Sequence, residues 1–263
     1  MKEQIIRHVT KIGNGAHIFA PKEWIGEEIV LVRIPKKPLT ERIFEVVTPY
    51  LEHIRGIYLY GSYARGEDEK DSDIDLFIIT SKKIKIKEKG FEVISICEED
   101  IDRAVKSFPL IMHSIFSESK SVINSDLIGK FKEKYKPRLV DFREFLEDTK
   151  RIIDINEEFI KQDKPKVYVY SSEIAYSLVL RLRGIFIIKK LLLGGKYSNK
   201  EFGNWIKSKL PEINLKPIYD SYKNIKTDDK RKIKIKVNEL EMLLNFLRKE
   251  TEKLNNQLIK HGK

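Results

Sequence analysis

The sequence predicts an α+β protein, and three observations carry that reading. Short β-branched and aromatic runs separated by turn residues occupy residues 56–97, helical periods with few strand signals take over from about Lys136, and a small β-hairpin segment punctuated by Gly and Pro precedes both. The expected division is a β segment over 1–38, a strand-containing domain over 39–128 and an all-α domain over 129–263.

The elements follow in order. Val9 to Val32 offers two short β runs, with too few residues to bury a core alone, so this piece needs a partner. Leu39-Thr40-Glu41 opens a helical pattern through Ile54 that Pro49 should kink or split. Gly56-Ile57-Tyr58-Leu59-Tyr60 reads as a buried strand, and Leu76 to Ile79 as a central one that is apolar on both faces. Ile84-Lys85-Ile86-Lys87 has the alternation of a solvated edge strand, where lysines are common. Phe91 to Cys97 is the next strand after the turn at Gly90. Asp100 to His113 predicts a helix interrupted by Pro109, with more apolar residues over Ile111–Val122 and a boundary at Asn124-Ser125. In the second half, Leu139–Ile160 is amphipathic, and Ser171-Ser172-Glu173 caps a long apolar helix closed by Gly194-Gly195. A short helix begins at Ser198 or Asn199, and Val237–Ile259 is a long final one.

The chemistry concentrates at Gly61-Ser62-Tyr63-Ala64-Arg65-Gly66 and at Asp71-Ser72-Asp73-Ile74-Asp75. Gly61 lets the backbone approach a ligand, because it has no Cβ. Ser62 offers a hydroxyl beside free N–H groups, and Arg65 a fixed cation suited to phosphate. Residues two apart in a strand face the same side, so the Asp73 and Asp75 carboxylates project together, roughly 7 Å apart. Two such charges repel unless a cation sits between them, and hard cations favour oxygen ligands shared with substrate phosphates. Glu92, near the start of the following strand, is the candidate third carboxylate, with Glu88 the runner-up. Asp100 and Asp102 repeat the acid spacing but sit at a helix start, where they serve the helix dipole.

Gly61-Ser62, Arg65-Gly66 and Ser72-Asp73-x-Asp75 together resemble the signature of the DNA polymerase β-like nucleotidyltransferase superfamily, over about residues 40–125. The closest likeness is to its minimal domains. The resemblance implies a short mixed sheet flanked by helices. It also implies Gly61, Ser62 and Arg65 at the nucleotide, and Asp73, Asp75 and Glu92 as catalytic residues holding Mg²⁺ (or Mn²⁺). The family often has Asp at the third position, which leaves the role of Glu92 open. Residues 5–36 resemble the AbrB/SpoVT swapped-hairpin domains, which dimerise and in many cases bind DNA. The helical ribonucleases that often partner small transferases carry an Arg…His signature that the second half lacks, its one histidine being His261.

With 51 Lys and Arg against 40 Asp and Glu, the net charge of +11 suits anionic partners such as nucleotides, RNA or DNA, although Lys and Glu enrichment is also a thermophile trait. The single cysteine, Cys97, excludes an internal disulfide and reads as packing. Tyr176–Leu193 is interrupted by Arg181, Arg183, Lys189 and Lys190, which makes a poor membrane span, and a cytoplasmic location is expected. If buried, Arg181 and Arg183 need acidic or phosphate partners; local acids are the bland answer, a substrate phosphate the functional one.

Two functions fit. One is a metal-dependent transferase moving NMP, with ATP the donor by resemblance, to an acceptor hydroxyl on a protein or small molecule, an RNA 3′ end coming third. The other is an AbrB-like DNA-binding regulator or antitoxin, homodimeric through residues 1–38, that uses the transferase fold as a nucleotide sensor or scaffold.

Overall fold

The computed structural model describes residues 5–7, 9–32, 37–69, 72–169, 172–226 and 233–261. Asp71 of the acidic motif and Ser171 of the expected helix cap lie outside the described residues, as do Lys230, Arg231 and Lys232, which open a basic stretch that reads from the sequence as a solvated connector. The chain divides into two compact units, residues 1–42 and 43–263, the division falling within helix α1 (Leu39–Val47).

In the first unit, β1 (Thr10–Ile12) and β2 (Gly15–His17) form an antiparallel hairpin with Thr10 opposite His17. A single 3-10 turn, Lys22–Trp24, follows Pro21. The expected second β run, Glu28 to Val32, is not a strand. Among the described residues it pairs with no neighbouring edge, and an isolated strand has no ladder to satisfy its backbone. Among the described residues of this unit none is buried, and Val30 is 89% exposed.

In the second unit, Pro49 ends α1 as expected. The chain continues as 3-10 helix over Thr48–His53, with the proline at its start where the missing N–H costs nothing. The sheet is built from β3 (Ile54–Tyr60), β4 (Ile74–Thr80) and β5 (Phe91–Cys97), with the short helix α2 (Gly61–Arg65) between β3 and β4. Helices α3 (Ile101–Ser107) and α4 (Pro109–Glu118) follow, Pro109 starting the second rather than breaking one helix in its middle. Sequence reading gave no strand after them, but β6 (Lys120–Ile123) adds to the free side of β3 before α5 (Ser125–Lys134). Asn124, with φ of 63°, caps α5 by accepting from the Leu127 N–H.

Strand order is β5-β4-β3-β6, with β4 and β5 parallel and the other pairs antiparallel, so the sheet is mixed. The parallel pair needs a crossover, and residues 81–90 supply it without forming a strand. The edge strand expected at Ile84–Lys87 is therefore absent. Instead the Ser95 hydroxyl donates to the Ile84 carbonyl, and Ile86 is buried. Tyr58, Phe77 and Ile79 face a core with Ile101, Met112 and Ile115, while Ile57, Leu76 and Ile78 on the other face are also buried. Both faces are covered, as the uninterrupted apolar run of β4 requires.

The remainder is helical, as expected: α6 (Arg143–Asp163), α7 (Ser172–Leu192), α8 (Asn199–Lys209), α9 (Leu215–Lys226) and α10 (Val237–His261), with a two-residue ribbon of β7 (Tyr168–Val169) against β8 (Ile235–Lys236). Helix α7 is central. It packs on α6, α9 and α10 and also on α4, which joins the helical half to the sheet half. Its fully buried Leu178, Leu182 and Ile185 belong to one core with Phe202, Ile218 and Leu243. No helix among the described residues is long and apolar enough to cross a membrane.

Candidate active site

The β3–α2–β4 turn sets the geometry. In register, Asp75 lies between Tyr60 of β3 and Glu92 of β5, so these three side chains share one face at one end of the sheet. Asp73 is exposed just ahead of β4, Asp75 is half-buried, and Glu92 is exposed. The predicted acids are thus brought to one rim. Among the described residues Asp73 and Glu92 form no ion pair, and no three His, Cys, Asp or Glu side chains close into a metal cage. Burial, together with the charges of Asp75, Glu92 and Glu118, pushes the Tyr60 hydroxyl far above its usual range, which places that phenol among three carboxylates.

Gly61 is required on two counts. Its φ is +70°, and a Cβ there would overlap the Asp75 carboxylate. The glycine therefore lets the acid lie directly on the turn. Ser62, partly exposed, follows it, and α2 closes at Gly66, whose N–H reaches back to the Ser62 and Tyr63 carbonyls.

Sequence reading missed Glu118, the last residue of α4. It is 8% exposed, and both of its oxygens are used. Oε1 accepts from the Gly61 N–H at 3.1 Å, and Oε2 accepts from Arg65 Nη1 at 2.8 Å. A hydrogen bond to a charged group is worth roughly 1.5–3 kcal/mol, so this is a firm anchor. Nothing local in the sequence marks it, because it lies 57 residues from Gly61.

Arg65 is correspondingly engaged. It donates from Nε to Glu67 at 2.9 Å, besides its bond to Glu118, and it lies over the Tyr197 ring at 5.1 Å. Glu67 in turn accepts from the Ser198 hydroxyl at 2.8 Å and the Asn199 N–H at 2.9 Å, at the start of α8. Burial alone would raise the Glu67 carboxyl, but Arg65, Ser198 and Asn199 together hold it below the usual carboxylate range.

The two arginines of α7 differ. Arg181 pairs with Asp148 at 2.6 Å and lies over Phe145, which is the bland outcome. Arg183 has no carboxylate within ion-pair distance among the described residues. Its Nη1 donates to the Tyr222 hydroxyl at 3.2 Å, its guanidinium lies 4.8 Å from the Tyr197 ring centroid, and its buried Nε has no partner. Burial works against its charge, but Tyr197 and Tyr222, with a smaller contribution from the Glu118 charge, hold its guanidinium above the usual range. Tyr197, beside both Arg65 and Arg183, has its hydroxyl pushed up to about 12 by burial.

A separate surface hollow of about 400 Å³, lined by Arg55, Ser81, Cys97, Glu98 and Glu99, lies at the opposite end of the strands and gathers none of these groups. Cys97 is buried and free, as expected of a packing residue.

The family model described as "Polymerase beta, Nucleotidyltransferase" matches residues 41–128, which takes in the turn, all three acids and Glu118. A solved spectinomycin adenyltransferase from Enterococcus faecialis, with ATP and spectinomycin, is 13% identical with a TM-score of 0.45, over 81% of this chain and 97% of that one. A nucleotidyltransferase-like protein from Exiguobacterium sibiricum is also 13% identical, with a TM-score of 0.35, over 81% of this chain and 73% of its own. No curated protein matches the sequence. The family match does not extend to the AbrB-like segment. Residues 41–128 are a nucleotidyltransferase domain of the polymerase beta family, and the chain that carries them is a nucleotidyltransferase.

Proposed function

We propose that the chain transfers NMP from a nucleoside triphosphate, ATP by resemblance, to an acceptor hydroxyl on a small molecule or a protein, releasing pyrophosphate. One observation carries the reading: Asp75 stands in register with Glu92 while resting on Gly61, so the acids and the turn that would receive phosphates adjoin.

The donor set fits Mg²⁺ or Mn²⁺. Asp73, Asp75 and Glu92 are oxygen donors on an open rim, and such ions keep water and phosphate oxygens in their shell rather than needing an all-protein cage. When bound, the ion would neutralise phosphate charge and make the acceptor hydroxyl more acidic. The chain's own residues would do the rest. The Ser62 hydroxyl would donate to the β- and γ-phosphate oxygens and hold the triphosphate over the turn. Glu92 would take the acceptor proton as that oxygen bonds to the α-phosphorus. The bond from the α-phosphorus to the bridging oxygen would break, and pyrophosphate would leave. Arg183, a buried cation with no carboxylate in ion-pair distance among the described residues, would offset the charge of the leaving group. Arg65 would act mainly by holding Glu118 and Glu67.

The test is transfer of α-labelled NMP from each NTP with Mg²⁺ or Mn²⁺, into the chain itself and into cell-extract acceptors. Label carried by the wild type and absent from an Asp73→Asn/Asp75→Asn variant supports the reading. Equal transfer by both proteins rejects it.

A second reading concerns residues 1–38. Ile6, Phe19, Ile25, Leu31 and Val32 are all at least 67% exposed, so this unit leaves its apolar side chains uncovered. A second copy of the segment would cover them, and the dimer would bind duplex DNA. Salt-dependent DNA binding and dimerisation, both lost on deleting residues 1–38, are the outcomes that support it.

A further inference from the structure

We propose that Glu118 is a positioning residue for the nucleotide and cation site, fixing the turn on which the Asp75 carboxylate rests and tying that turn to the first residues of α8. The inference rests on the nucleotidyl-transfer reading above and adds a residue that touches neither the rim nor its ligands.

Glu118 occupies the last position of α4, where the helix dipole disfavours a carboxylate. It is also nearly buried, which a carboxylate tolerates only with good partners. Neither feature serves the helix, and both are offset by what the side chain holds. One oxygen takes the Gly61 N–H and the other takes Arg65. Gly61 has no side chain to be gripped by, so its N–H is the handle that sets its place against Asp75. Arg65 then bridges Glu118 to Glu67, and Glu67 accepts from Ser198 and Asn199. The resulting chain of contacts runs from the start of α8 through Glu67, Arg65, Glu118 and Gly61 to Asp75. A shift of α8 would move the acid rim through it, so the helical half helps set the position of Asp75.

A bland role, a buried ion network that only holds the fold, predicts a different result. The experiment measures Mn²⁺ affinity by electron paramagnetic resonance, with a non-transferable ATP analogue present. It compares wild type, Glu118→Ala and Glu118→Gln at a temperature where melting curves show each to be folded. Glu250→Gln is the control. Glu250 is also a buried carboxylate, 2% exposed, but it pairs with Lys189 and Lys253 in the helical half. Substitutions of groups that orient metal ligands typically cost about 10–100-fold in affinity or activity, and Glu118→Ala is expected in that range. Glu118→Gln keeps an acceptor for Gly61 but loses the ion pair to Arg65, so it should recover part of the loss. In transfer assays kcat should fall for both variants while the acceptor KM holds. The Glu250→Gln control should lose melting temperature and keep its Mn²⁺ affinity. Folded Glu118→Gln and Glu118→Ala proteins within twofold of wild type in Mn²⁺ affinity and kcat would overturn the inference alone. A wild type that binds no Mn²⁺-nucleotide would overturn the functional reading and this inference with it.

Discussion

Two sets of charged side chains flank Gly61, and they are built on opposite rules. Asp73, Asp75 and Glu92 stand on an open rim, exposed or half-buried and all of one sign. Arg65, Glu67 and Glu118 lie behind the turn, enclosed, with each acid oxygen matched to a donor. Like charges facing solvent repel and gain little for the fold, and under the proposed function a cation offsets that repulsion. Buried charges with complete hydrogen bonding instead specify one arrangement and tolerate no loss of a partner. Asp73 and Glu92, exposed at the rim, are therefore expected to lose function on substitution without losing stability, and the network behind the turn to lose both.

The largest expected effect is at the rim. Asp73→Asn should cut NMP transfer by on the order of 10²–10³-fold, as for other preorganised electrostatic groups, with a melting temperature near that of wild type. Unfolding of this variant in place of inactivity would erase the contrast. Gly61→Ala comes next and crosses both categories. The added Cβ demands a left-handed backbone and the space of the Asp75 carboxylate. It should cost about 1–3 kcal/mol of stability along with transfer activity, read by urea melts and the labelling assay together.

Arg183→Met sharpens the comparison from a third position. Replacing a buried charge that lacks an acid partner among the described residues with an apolar side chain of similar length should leave stability unchanged or raise it by about 1 kcal/mol. The KM for the triphosphate should rise by roughly tenfold, a typical loss for one phosphate contact of about 1.4 kcal/mol. Lower stability with an unchanged KM would make Arg183 a fold residue instead.

The smallest effect concerns acid. The Glu250 carboxyl, which burial alone would raise, is held below its usual range by Lys189 and Lys253. The Glu67 carboxyl is lowered as well. A carboxyl whose folded pKa is depressed contributes stability above its unfolded pKa and loses it as pH falls through the folded one. Stability should therefore decline as pH drops below the ordinary carboxylate range. Glu67→Gln and Glu250→Gln should each flatten that decline, as measured by urea midpoints from pH 7 downward.

Much of this was legible in the sequence. The strand ending at Gly61, the strand opened by acids two apart and the next strand, which carries Glu92 near its start, were readable because they depend on local periodicity and turn chemistry. The helix ends at Pro49, Pro109 and Ser198 were readable for the same reason, since proline and capping residues act on their nearest neighbours. The failures were of another kind. Ile84–Lys87 alternates like a strand, yet it serves as the crossover that a parallel pair must have. Glu28–Val32 has strand composition but joins no edge among the described residues. Lys120–Ile123 joins β3 from far along the chain, and pairing at that distance leaves no local mark.

By itself the sequence determined the three strands β3, β4 and β5 and the carboxylates at their ends, because strand alternation places side chains on faces whatever the strand pairs with. Only the tertiary structure decided that Glu92 stands beside Asp75, that Glu118 holds the Gly61 turn, and that Arg183 lies buried against Tyr197. Each of these depends on which elements pack together, and packing is chosen by the burial and pairing available across the whole fold, which no single stretch of sequence carries.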